Sequence, residues 1–474
     1  MSFHSLDFLL FFVVITALYW RLDHRRQNIL LLVASYFFYG YVHAWFLILI
    51  VASTVVDYAS ARAMTAAPDD RRRRWLWLSL ASNFCLLGFF KYFDFFIDNV
   101  SAVLEALGLG LPRPALAIVL PVGISFYTFQ TLSYTIDVYR RQIEARRSFL
   151  DVAVFVAFFP QLVAGPIERA SHLLPQVERP RTFDAGQARS ALVLMVWGFF
   201  LKLVVADNAG VIANKVFALQ DPSFAVLWAG VFAFGIQIYA DFSAYTDIAR
   251  GTARWLGFDV MRNFDHPYLA KGPADFWRRW HISLSTWFRD YVYIPLGGSR
   301  TGTGMWARNV VITFVVSGLW HGASWNFVLW GLYHGLLLVA GRALAPLAPR
   351  GAIGRAIAPV QMLVMFALTN VGWLIFRERE FAYLVRDFGL SPGADSPGDL
   401  ETGAYLFLLV LVYSLPLWLH ALWDGLRSRQ RAGEEASYTG PGWLAAQTLL
   451  CGALLALIVV FRSRESLSFI YFRF

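Results

Sequence analysis

Uncharged, apolar runs long enough to cross a bilayer recur along the whole chain, and no other feature limits its fold so tightly. They occupy 27–56, 116–136, 222–240, 309–341, 356–376, 402–423 and 436–461, with shorter ones starting at Phe8, Trp75 and Ser190. A hydrocarbon core about 30 Å thick is crossed by a helix of about 20 such residues, the form in which each backbone polar group is satisfied within its own segment. Composition agrees, with 58% of the 474 residues hydrophobic and 15% charged, against about 25% charged in soluble domains. The expectation is an all-α polytopic membrane protein with about ten or eleven transmembrane helices.

The first apolar segment has no Lys or Arg before it in Met1–Leu6 and no small-x-small site after it, so it reads as a retained first helix. Two cysteines, Cys85 and Cys451, both in apolar runs, argue against a disulfide framework or a thiolate metal site. The formal net charge is +9. Its arginines cluster beside spans, so the excess reads as the positive-inside bias of a membrane protein and implies no nucleic-acid partner.

Those clusters also give an orientation. Arg21, Arg25 and Arg26 follow the first span, Arg62 and Arg71 to Arg74 the third, and Arg140, Arg141, Arg146 and Arg147 the fifth. Alternation then places the N-terminus outside and the stretch 250–308, with nine Lys or Arg against four Asp, on the cytoplasmic side. The acidic stretch Asp387 to Glu401 falls outside, Arg427, Arg429 and Arg431 inside, and the tail 462–474 outside. The chain reads as one transmembrane domain over 1–474.

Two stretches depart from simple spans. Between 148 and 188 the apolar run is short and broken by Pro160, Pro166, Pro175 and Pro180, which suggests a re-entrant or interfacial segment enclosed by protein. The 33 residues 309–341 would form a helix of about 50 Å, too long for one crossing. An interruption at Ser317-Gly318-Leu319-Trp320-His321-Gly322 suggests two half-spans that enter and return.

His321 is the sharpest chemical feature, a histidine deep in an uncharged run, where ionisable groups are costly and usually face a cavity. A neutral imidazole takes a proton near neutral pH, which suits a general base. Gly318 and Gly322 beside it would let backbone and substrate approach; a packing histidine bonded to a carbonyl is the plainer alternative. His281, among Arg278, Arg279 and Trp280, is a second candidate, although an interfacial histidine in that company is commonly structural. His334 reads as a packing residue, as do His43 and His172. Sequence spacing offers no His/Cys metal site, phosphate loop or nucleophile elbow. The segment 250–308 mixes basic residues, including Arg289, with Trp255, Phe276, Trp277, Trp280, Trp287, Phe288, Tyr291 and Tyr293. That composition suits either an aromatic interfacial belt or a dock for an anionic ligand bearing an aromatic ring, such as coenzyme A.

These motifs resemble the bacterial membrane-bound O-acyltransferases, above all the alginate O-acetylase group. The likeness includes Ser5 to Phe12, Ser125 to Gln130 with Tyr134 to Arg140, Phe158 to Ile167, Phe276 to Gly298 with Trp280-His281-Ile282-Ser283-Leu284-Ser285, and Leu319-Trp320-His321-Gly322-Ala323. It implies a ring of tilted helices around a thin centre holed by a tunnel. It implies His321 as the catalytic histidine and His281 as a second functional one. Acetyl-CoA would serve as the acyl donor, with Arg278, Arg279, Trp280 and Arg289 as its candidate contacts and no permanently bound cofactor. The implied task is O-acetylation of a secreted or cell-envelope polysaccharide across a bacterial inner membrane, alongside a periplasmic SGNH-type acetyltransferase or polysaccharide-modification complex. A small-molecule or lipid acyltransferase of the same family is the nearer alternative, and a transporter or flippase the one from another class. No inverted repeat or buried charge relay supports the latter. The ending Phe469-Ile470-Tyr471-Phe472-Arg473-Phe474 resembles that of the partner peptide in the teichoic-acid D-alanylating branch, which implies Tyr471 as an acyl carrier. An aromatic interfacial anchor is the alternative.

Overall fold

The computed structural model describes residues 1–110, 118–162, 165–300, 302–349, 351–378, 380–431, 441–465 and 467–470, and those residues are helices and their connections, with no strand among them. Eight of the helices are long and apolar enough to cross a membrane. Other segments counted as spans from the sequence form shorter helices, Leu6–Tyr19, His24–Gly40 and Ile124–Tyr139. The chain forms two compact units, residues 1–191 with 252–261 and 322–324, and residues 192–251 with 262–321 and 325–474.

Within the first unit, Phe46–Ala66 packs on Asp69–Leu87 and Ile124–Tyr139. Lipid is as apolar as leucine, so hydrogen bonds and close packing, rather than burial of apolar surface, bind such helices. Here the bonds centre on buried Asp57, whose carboxylate accepts from Ser79 Oγ at 2.6 Å and Asn83 Nδ2 at 3.0 Å, while Ser53 Oγ donates to Asn83 Oδ1 at 2.8 Å. Residues 149–178 form three short helices, Phe149–Ala157, Phe159–Leu162 and Ala170–Glu178. Nine residues rise only about 14 Å, too little to cross, and Val152 to Leu162 are buried. The broken backbone is satisfied by side chains: Ser35 Oγ accepts from Phe159 N at 3.0 Å, and the Gln130 and Gln161 amides donate to Phe155 O. Gly123, at φ 80°, starts the Ile124–Tyr139 helix where a Cβ would lie 2.8 Å from Leu162 O.

The second unit is built on Phe224–Trp255, of which Val231 to Thr246 are buried. At its periphery Leu449 and Val459 of Pro441–Phe461 are 74% and 77% exposed, apolar surface suited to lipid. The long apolar run 309–341 does break beside His321, into Thr303–His321 and Trp325–Leu344. The arms are longer than half-spans, 19 and 20 residues, or about 30 Å each. The first arm starts at Thr303, upstream of Arg308, so a search confined to uncharged residues clips it. The two arms cross at glycine: a Cβ on Gly318 would lie 2.0 Å from Phe327 O, and one on Gly331 2.2 Å from Phe314 O. Gly318 is therefore where the backbone of the second arm approaches the first, the close backbone approach expected of it.

Candidate active site

His321 closes the Thr303–His321 helix and is 5% exposed. Its ring meets Trp320 and Trp330 edge-on at 5.0 Å and Phe376 at 5.4 Å. Three large rings therefore fix the orientation of the imidazole. His334 also meets Trp330, ring to ring at 4.9 Å, and it is stacked over Phe276 and edge-on to Trp277 at 5.1 Å. It is packed as a wedge of the helix Trp325–Leu344 against Pro273–Arg279.

His281 is fully buried and adopts φ 42°, ψ 56°. This left-handed conformation is costly for a side chain bearing Cβ, of order 1–3 kcal/mol, and such residues cluster at functional sites. Asn263 holds the strained turn: its carbonyl accepts from Ile282 N at 2.9 Å, and its Oδ1 accepts from Ser283 Oγ at 2.6 Å. The imidazole abuts Phe242 at 4.6 Å and Trp320 at 6.1 Å, so Trp320 touches both candidate histidines. Burial lowers the His281 pKa to about 3, which leaves a neutral ring able to donate a hydrogen bond and unsuited to carrying a proton.

A cavity of about 450 Å³ lies in the same unit, and neither histidine lines it, although their chain neighbours do. Ile282, next to His281, lines it, as do Val310, Thr313, Phe314 and Ser317 of the helix that ends in His321. Arg278 and Arg289 line it together with Trp277, Phe288 and Tyr293. Both arginines are well exposed, at 73% and 58% of their side chains, and Arg289 starts a π-helical turn, Arg289–Tyr293, a feature frequent at functional sites. The other two expected donor contacts lie elsewhere. Arg279 pairs with Asp275 at 2.9 Å and donates to Asp265 O. Trp280 is 1% exposed and packs among Phe264, Phe276 and Trp373. Tyr471 lies outside the described residues.

One grouping has no signal in the sequence. His266, His420 and Asp424 bring three ligand-type atoms within 4.8 Å of one another, with His266 Nε2 3.1 Å from the Asp424 carboxylate. His266 and Asp424 are 158 positions apart, so no spacing rule could pair them.

The profile of the membrane-bound O-acyltransferase family matches residues 140–377, a stretch that includes both histidines and the cavity. The probable alginate O-acetylase of Pseudomonas putida is 37% identical over the whole of both chains. That of Pseudomonas aeruginosa is 39% identical over 87% of this chain and 80% of its own length. The peptidoglycan O-acetyltransferase of Helicobacter pylori is 36% identical over 74% of this chain and 70% of its own.

Proposed function

The chain belongs to the membrane-bound O-acyltransferase family, and from that premise we propose that it carries acetyl from cytoplasmic acetyl-CoA to a secreted or cell-envelope polysaccharide, alginate-like in kind. The relatives support the acceptor class: two of them are probable alginate O-acetylases, and the third is a peptidoglycan O-acetyltransferase. The observation that carries the reading is the cavity with two arginines on its wall and a buried histidine one helical turn beyond Ser317. Arginine forks suit the phosphates of coenzyme A. The apolar wall, with Ile282, Leu284, Val310 and Phe314, suits a slender pantetheine arm.

His321 takes the proton of an attacking hydroxyl as its oxygen adds to the thioester carbonyl, then returns that proton to the departing thiolate. Neutral His281 donates a hydrogen bond to the carbonyl oxygen or holds the acetyl group in line. Tyr471 is the proposed first acceptor. A phenol of pKa about 10 forms an ester more reactive than a sugar ester, so onward transfer runs downhill. A periplasmic SGNH-type acetyltransferase would pass the acetyl group to the polymer. The 13 residues 462–474 reach at most about 45 Å, enough to return to the middle of a bilayer.

Purified protein incubated with labelled acetyl-CoA should release coenzyme A and carry label on its C-terminal peptide, and Tyr471→Phe should remove that label. Arg278→Ala and Arg289→Ala should each raise KM for acetyl-CoA about tenfold with little change in kcat, the pattern for contacts made equally in ground and transition states. Release of coenzyme A at the wild-type rate with both arginines replaced would remove the cavity from the mechanism.

The arginine pattern supports an inner-membrane placement with N-terminus and tail periplasmic and 250–308 cytoplasmic. Ser2→Cys, in a background lacking Cys85 and Cys451, should react with an impermeant thiol reagent in intact spheroplasts. Reaction only after lysis would reverse the orientation.

A further inference from the structure

After the last long helix, Pro441–Phe461, the chain turns back into its own unit. Ser463 N donates to Leu203 O at 3.1 Å, and Asn208 Nδ2 donates to Phe461 O at 3.0 Å. Leu467 then seats on Gly210, where a Cβ would lie 2.6 Å from the leucine side chain. Phe469 and Ile470 are 0% and 2% exposed. At this depth stands a buried charge cluster: Lys202 Nζ lies 2.7 Å from the Asp207 carboxylate and 2.9 Å from that of Asp241, all with side chains at most 2% exposed.

Such a cluster is expensive to bury, and replacing one by apolar groups is often neutral or stabilising. This one has an evident second task, since each end grips the main chain of the terminal segment. Lys202 Nζ donates to Leu467 O at 2.9 Å, and Asp241 accepts from Ile470 N at 2.7 Å. Between these bonds the Phe469 ring stacks on Tyr245 at 4.0 Å and reaches Phe242 at 5.9 Å. Phe242 is the ring that abuts His281 at 4.6 Å.

We propose that Lys202 and Asp241 form a clamp that holds residues 467–470 against Phe242, the ring that abuts His281, making them positioning residues for acyl transfer. The π-helical turn Leu201–Ala206 aims Lys202 at the carbonyl. Because both clamp bonds go to backbone atoms, the clamp fixes the depth of the segment. Side-chain identity enters through contacts such as Leu467 on Gly210 and Phe469 on Tyr245 and Phe242. The proposal rests on the reading of His281 as functional, and it does not require Tyr471 to carry acetyl.

Two full-length variants test it. Lys202→Met/Asp207→Asn/Asp241→Leu replaces the cluster by neutral groups of similar size, and Ile470→Pro deletes one N–H without touching a charge. Carboxypeptidase applied to detergent-purified protein, read by intact mass, should halt at or before Ile470 in the wild type and pass Leu467 in the triple variant. In both variants kcat should fall about a hundredfold, the cost of displacing a catalytic group by about 1 Å, with KM for acetyl-CoA unchanged. Equal trimming of wild type and triple variant overturns the clamp, and so does wild-type kcat in Ile470→Pro, a variant that stays informative if the triple variant fails to fold. Tyr471→Phe separates the readings: lost transfer with trimming still halted supports the relay, while wild-type transfer with trimming still halted removes the relay and leaves the clamp. His281→Ala transferring at the wild-type rate removes the premise, whatever the trimming shows.

Discussion

His321→Ala should abolish acetyl transfer while leaving the protein folded and inserted. A positioned base contributes typically 10²- to 10⁴-fold, and no other histidine among the described residues stands in the same place: His334 belongs to the crossing helix Trp325–Leu344, and burial lowers the His281 pKa to about 3, which makes it a poor proton acceptor. The fold should survive because the contacts of His321 are ring edges of Trp320, Trp330 and Phe376. Phe376 keeps contacts with Trp330 and Phe327 when the imidazole is removed. The check is polymer acetylation in cells together with coenzyme A release by purified protein. Half or more of wild-type activity in a well-inserted variant would end the assignment of His321 as base.

The second large effect comes from a methyl group. Gly318→Ala would put Cβ 2.0 Å from Phe327 O, where ordinary contact needs about 3.5 Å. The two arms must part by more than about 1 Å, and His321 is carried on the same helix less than one turn away. A shift of that size costs about a hundredfold in rate, and the lost packing should also lower the melting temperature in detergent. Gly304, on the same helix, has nothing within 4 Å of the place a Cβ would take. Gly304→Ala should therefore leave kcat unchanged and, by helix propensity, stabilise by up to about 1 kcal/mol. Equal kcat for Gly318→Ala and Gly304→Ala would show that helix separation does not govern the site.

Much of this is legible in the amino-acid sequence. Uncharged runs reveal helices because lipid enforces them, and His321 stands out because a histidine in such a run is costly. The proline-broken 148–188 stretch is readable as enclosed non-spanning backbone for the same reason. Other features turn on partners that carry no sequence signature. Lys202 and Asp241 bind backbone atoms of residues 467 and 470, and a backbone acceptor looks the same at every position. Trp280 shares the composition of an aromatic dock, yet its neighbours Phe264, Phe276 and Trp373 make it core. Gly318 is conspicuous in the sequence, but only the crossing arm, with Phe327 at the contact, reveals what its missing side chain is for.

The short helices of residues 149–178 bear on how the protein is made. Two of their main-chain groups, Phe159 N and Phe155 O, find partners in Ser35 and Gln130, which leave the ribosome earlier than they do. The helices His24–Gly40 and Ile124–Tyr139 that carry those partners are therefore available for insertion before the segment emerges. It can pass from the translocon directly to waiting donors and acceptors, and need never face lipid with its main chain unpaired.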